Sequence, residues 1–264
     1  MRRALLAAVI VVGLCPPAAA QGNGHANPNG TGVRNFGSWL DDATVVDPGS
    51  GFVSVGFGLW QSPAFREVDL PTIDSGFAVN RRLQVGMSIP YYHASEAGVA
   101  AAHGFGDVYL NAKVQLRAPG AGQTGVGVIP MLEILSVAPL DGSSRVQWAL
   151  PVSVERQMSG WRLMASGGYF SRGALFGAAA LEFELSNRAW LTGSLSHSYS
   201  THHDDLSAAL GIHKARTDVS GGLTYALRPD VAVYGTLGRT ISGQDVNSAS
   251  LIASAGISFG LKHP

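Results

Sequence analysis

The sequence predicts an all-β fold, a transmembrane antiparallel up-and-down β-barrel of about twelve strands. Three observations predict it. The stretch Gly104 to Arg117, GFGDVYLNAKVQLR, alternates with a period of two. Val108, Leu110, Ala112, Val114 and Leu116 lie on one face, and Asp107, Tyr109, Asn111, Lys113, Gln115 and Arg117 on the other. Successive strand side chains point to opposite faces, whereas in a helix these apolar residues would wrap right round. Second, the run is long: about 9–11 tilted residues carry a strand across a bilayer, while soluble strands average about 5–6. Third, the pattern recurs to the C-terminus behind a secretory leader, and no later stretch offers the ~18 uninterrupted apolar residues of a transmembrane helix. In a membrane every backbone polar group must be paired internally, so strands span only as a closed barrel.

The leader is residues 1–20. Arg2 and Arg3 form its positive end, Ala4 to Leu14 is apolar but too short to span, and Ala18-Ala19-Ala20 is a small-residue cleavage site. Cys15 follows Leu14, where a lipoprotein signal carries a small residue, which argues against lipidation. It is the only cysteine, so a chain starting at Gln21 has no disulfide or thiol chemistry. Without Arg2 and Arg3, 16 basic residues face 18 acidic ones, a net charge of −2. That near-neutral balance implies no nucleic-acid partner.

Residues 21–50 are rich in Gly, Asn, Asp and Pro and show no periodicity. Composition makes them a flexible periplasmic lead-in; the alternative is a segment that enters and partly plugs the barrel. The barrel domain follows over 51–264. Phe52 to Trp60 alternates Val53, Val55, Phe57 and Leu59 with Ser54, Gly56 and Gly58. Phe65 to Val79 fits worst, because Asp69 and Asp74 interrupt either parity; Pro71 removes a ladder donor and predicts a bulge. Arg82 to Tyr92 is regular again, and the organising strand 104–117 follows. Gly125 to Leu135, Arg145 to Arg156, Trp161 to Tyr169 and Leu175 to Leu185 continue the alternation, the last with Glu182 and Glu184 inward. Ala189 to Tyr199, Asp218 to Leu227, Val231 to Ile241 and Ser248 to Leu261 complete the set. Pro90, Pro130 and Pro151 fall inside strands, and each predicts a bulge or a gap in the ladder. Tight turns such as Asn80-Arg81 and Ser186-Asn187 alternate with longer loops, and aromatic residues gather at both strand ends, as at the two interfaces of a bilayer.

At these residues the chain resembles a known family. GFGDVYLNAKVQLR is similar to the G-x-GD-x-x-L-x-A-K strand of the outer-membrane family named for the meta-pathway of phenol degradation, and Asn80 to Gly86 through Ile89-Pro90-Tyr91 is similar to the turn and strand before it. The resemblance covers about residues 64–261. After Pro130 the chain has Met131-Leu132-Glu133, a departure from the family pattern. Membership implies an outer-membrane barrel of Gram-negative bacteria, a porin-like transporter passing small organic molecules, hydrophobic or aromatic ones among them. Ser254, Gly256, Phe259 and Leu261 resemble the C-terminal signal read by the barrel assembly machinery.

The inward charges are Asp107, Lys113, Arg117, Arg145, Glu155, Arg162, Glu182, Glu184 and Asp218. Folding the tight hairpins places Arg162 beside Glu155 on one neighbour and Glu182 on the other. Such a set is either a solvated ion-pair lattice or a polar constriction that filters solutes. His202-His203-Asp204-Asp205 has metal-ligand residue types, but adjacent histidines of a strand point apart and no second ligand pair is spaced for them, so no metal or other cofactor is expected. His93 and Ser95 share the lipid face, as in outer-membrane phospholipases, but no outward Asn accompanies them and no enzyme is expected. Three functions remain: a passive channel with outer-membrane lipid and small solutes as partners, a structural or surface-interaction barrel with a closed lumen, and a lipid hydrolase.

Overall fold

The structure is a computed structural model that describes residues 42–136, 144–201, 213–245 and 248–261, apart from 97–99, 121–122 and 172. The leader, residues 21–41 and His202 to Asp205 lie outside the described residues. Twelve antiparallel strands form a closed barrel. They are β1 (Gly51–Gln61), β2 (Phe65–Asn80), β3 (Leu83–Glu96) and β4, in two parts (Ala102–Phe105 and Val108–Arg117). Next come β5, also in two parts (Thr124–Val128 and Met131–Ile134), β6 (Val146–Met158), β7 (Trp161–Phe170) and β8 (Ala174–Ser186). β9 (Ala189–Ser200), β10 (Ala215–Arg228), β11 (Val231–Ser242) and β12 (Leu251–Leu261) complete the wall. Each strand pairs with the next, and β1 closes on β12 from Gly51↔Leu261 to Gln61↔Leu251.

The burial pattern is that of a soluble protein turned inside out. Leu110, Leu150, Leu195, Leu223 and Leu237 are exposed on the outer face, while Lys113, Gln84, Glu155 and Ser153 are fully buried within. A soluble domain hides its leucines and leaves lysine and glutamate in water; the reverse is stable where the outer face meets lipid. The tight turns at 81–82, 159–160, 187–188 and 229–230 share one end, the periplasmic one by its short connections, and the strand ends at Ile134, Ser200 and Ser242, which longer connections follow, share the other, the loop end. Tyr91, Phe105, Trp148, Tyr169 and Tyr199 ring the loop end, with Tyr91 edge-on to Phe105 at 5.4 Å, and Phe183, Tyr225 and Phe259 lie near the turn end.

The prolines act in different ways. At Pro71 the β2–β3 register slips between Asp69 and Thr72. Parity therefore inverts across the bulge, and Glu67, Asp69, Thr72 and Asp74 all come to face inward and are buried. Opposite Pro90, β4 is interrupted at Gly106-Asp107, where Gly106 N donates to Pro90 O at 2.9 Å. The organising stretch is thus two pieces, not one unbroken strand: its pairing with β3 runs from Tyr91↔Phe105 on one side to Ser88↔Tyr109 on the other. Pro130 leaves a gap in β5 with the register kept, from Val128↔Val152 to Met131↔Ala149. Pro151 makes no bulge with β7; Pro151↔Gly168 sits in an unbroken ladder, where a side chain at Gly168 would meet Leu150 O at 2.5 Å.

Candidate functional site

The lumen holds the start of the described chain. Residues 42–46, directly before β1, run inside the periplasmic half of the barrel, and Asp42, Ala43, Thr44 and Val45 are buried. The Asp42 carboxylate is paired with the Lys113 ammonium and lies 3.7 Å from Arg162. Lys113 Nζ also donates to Thr44 O at 3.0 Å. Thr44 Oγ1 donates to Glu155 Oε2 at 2.7 Å, Gln115 Nε2 to Ala43 O at 3.1 Å, Ser153 Oγ to Asp42 O at 3.0 Å, and Val46 N to Gln84 Oε1 at 3.1 Å. Walls from β3, β4 and β6 thus grip one extended segment from three sides. Composition alone favours a lead-in for 21–50; of that range, residues 42–46 occupy the lumen. The reason is that the carbonyls of Asp42, Ala43 and Thr44, the amide of Val46 and the side chains of Asp42 and Thr44 find partners on the wall, which offsets the entropy of ordering the segment.

Arg162 is the hub of this half. Its guanidinium reaches Glu155 at 3.4 Å and Glu182 at 2.9 Å, and Thr192 Oγ1 lies 3.5 Å from Glu182 Oε2. The β7–β8 register sets Arg162 directly opposite Glu182. Asp107 accepts from Ser136 N and Oγ near the loop end, and Asp218 accepts from Thr240 Oγ1 at 2.6 Å and from Arg216 Nε at 3.1 Å. Three expected members lie outside this lattice. Arg117 is exposed on the outer rim: the β4–β5 register slips between Gln115 and Arg117, so Arg117 pairs with outward Val126. Arg145 precedes β6 at the loop end, where it is exposed and donates to Leu135 O at 3.2 Å. Glu184 is exposed at the periplasmic rim, one residue before another slip.

The opposite wall has a different surface. Ser194 and Ser220 hydroxyls are 2.6 Å apart, Thr236 and Ser254 2.7 Å, and Ser54 donates to Ser258 at 2.9 Å, each pair directly across a ladder. Such short hydroxyl pairs satisfy one another and leave the wall thin. Tyr234 lies flat between them because Gly56 and Gly256 face each other; a Cβ at Gly56 would stand 2.7 Å from its hydroxyl, and one at Gly256 would collide with it. Asp42, Thr44, Tyr234 and the inward acids of β2 carried no sequence signal of their own, except that Pro71 marked the bulge.

On the outer face His93 is exposed, with the Tyr91 ring at 5.2 Å and the His103 ring stacked at 6.0 Å. Ser95 is exposed on the same face. Asn111 points inward and is buried. No acid or amide is hydrogen-bonded to His93 among the described residues.

A closed twelve-stranded ladder with an apolar belt, two aromatic rims and a polar interior defines a transmembrane β-barrel of the outer-membrane type. Solved structures of that type share its shape. An outer membrane channel from Pseudomonas putida F1 aligns with a TM-score of 0.65 at 11% identity, over 83% of this chain and 98% of its own. The NanC porin aligns at 0.58 and 11% identity, and the KdgM porin in complex with disordered oligogalacturonate at 0.53 and 10%, each over 78% of this chain and 98% of its own. No family model and no curated protein matches the sequence.

Proposed function

We propose that the chain is an outer-membrane channel that passes small organic solutes by diffusion and is narrowed by its own residues 42–46. The observation that carries this reading is the way the segment is held. Its bonds are hydrogen bonds and ion pairs to the wall, which water and a solute can replace, not apolar packing that closes a core. The wall opposite is lined by serine and threonine, whose small side chains leave the most room. A barrel of about twelve strands lies between the filled eight-stranded kind and the open porins. The resemblance in 80–117 supports hydrophobic or aromatic molecules among the solutes and membership in the phenol meta-pathway family. The C-terminal residues Ser254, Gly256, Phe259 and Leu261 support delivery by the barrel assembly machinery; Phe259 and Leu261 are exposed outward, where a partner reaches them.

A second reading, a structural barrel with a closed lumen, is favoured by the Asp42, Lys113, Glu155 and Arg162 lattice across the periplasmic half. Planar-bilayer recordings separate the two. The full chain is expected to give small conductance steps, and a chain lacking residues 21–46 larger ones. A folded, heat-modifiable barrel silent in both forms would establish the structural reading.

A further inference from the structure

The outer wall carries a basic patch where β2, β3 and the first part of β4 run side by side at the loop end. Arg66 stands directly opposite Ser95, and His93 directly opposite His103. All four are exposed on the outer face. His93 and Ser95 are two residues apart on β3, so the two rows are about 7 Å apart along the strands, with about 4.8 Å between neighbouring strands. One guanidinium, one hydroxyl and two imidazoles thus fill adjoining positions. The side chains of Arg66, His93 and His103 make no hydrogen bond or ion pair among the described residues. The next row toward the midplane is aromatic: Tyr91 stands opposite Phe105, their rings edge-on at 5.4 Å, and the Tyr91 ring meets His93 at 5.2 Å. Leu70 is exposed on β2, the next outward residue after Val68. The carboxylates of this sector stand on the other side of the wall, where Glu67, Asp69 and Asp107 are buried. Among the described side chains of these strands no acid faces outward at this end.

We propose that this patch docks the phosphate-bearing headgroup of an outer-leaflet glycolipid. The occupant follows from place and charge. The patch lies on the lipid side of the wall, one row beyond the aromatic ring that marks headgroup level. The loop end faces away from the periplasm, so the lipid it meets belongs to the outer leaflet, whose phosphates are the anions at that depth. A guanidinium donates two parallel N–H bonds to one phosphate, and imidazole N–H and serine O–H donors suit the same oxygens. With no acid outward, nothing beside the patch repels the anion. Tyr91, Phe105 and Leu70 then face the first part of the acyl chains, which a soluble phosphate lacks. The docking does not depend on whether the lumen conducts.

The test is lipid retention by the full chain in detergent, read by native mass spectrometry. The chain is offered lipid A carrying its phosphates, or the same lipid A with the phosphates removed. The phosphorylated form is expected to be retained at least ~10-fold better. The Arg66→Gln, His93→Gln, His103→Gln triple variant should lose that preference, and Arg66→Gln alone most of it. Arg156→Gln, exposed on the outer face near the periplasmic end of β6, should keep it. Heat-modifiable mobility confirms that each variant is folded. Excess inorganic phosphate should leave the lipid in place. Equal retention of the two lipids, a preference that the triple variant keeps, or displacement by inorganic phosphate overturns the inference.

Discussion

At the scale of single residues, two positions decide most. Asp42 is buried between Lys113 and Arg162, so removing its carboxylate breaks the ion pairs that tie the segment to the wall. Breaking one side of a buried pair costs about 3–5 kcal/mol. Here the docked segment bears that cost, because the wall ladder does not depend on it. Asp42→Ala should therefore release residues 42–46 while the barrel stays intact: proteolysis from the periplasmic side should cleave the segment at least ~10-fold faster with the heat-modifiable band unchanged. Gly256 is the other. It faces Gly56 and gives the Tyr234 ring its seat, and a side chain there also meets Val55 O at 2.8 Å. Gly256→Leu should push Tyr234 off the wall and destabilise the barrel by about 1–3 kcal/mol, the usual cost of overpacking, read as a lower urea midpoint.

At the scale of the strand, the outer face is set by depth. Leu110 lies in mid-strand of β4 and is exposed to lipid; Leu185 is at the periplasmic end of β8 and equally outward. Leu110→Arg should cost about 2–4 kcal/mol and Leu185→Arg about 0–1, measured as reversible unfolding from lipid vesicles. Equal costs would mean that the lipid face is assigned wrongly. Strand order, hairpin pairing and the outer face were legible in the sequence because alternation reports side-chain direction directly. Arg162 between Glu155 and Glu182 was legible for the same reason: tight turns fix register. Departures from simple parity fall where a strand gains a residue, as expected at Pro71. Arg117 lies past one slip, and Asp69 and Asp74, which spoil any single parity of β2, lie on the same face once the slip at Pro71 separates them. The segment 42–46 was not legible because it has no period; its place is dictated by partners distant in sequence, from Gln84 at a separation of 38 to Glu155 at 111.

At the scale of the whole molecule, closure depends on one pairing. Every ladder joins neighbours in sequence except β1 with β12, which tie Gly51 to Leu261. A chain truncated before Leu251 should leave β1 and β11 as open edges, and open edges are not tolerated in lipid. It should give no heat-resistant band and should accumulate as aggregate or be degraded. A truncated chain that still runs as a compact barrel would show that the wall reseals without β12.

That single pairing also sets an order of events. Hairpins form between neighbours soon after they are made, whereas β1 waits for the last strand of the chain, across a loop of about 200 residues whose ends meet slowly. Residues 42–46 are tethered directly to β1 and are gripped by strands in the middle of the sequence. They can settle on the inner side of the curling sheet before its rims meet; afterwards the entrance left to them is the periplasmic mouth. On that account the barrel closes around the segment that narrows it.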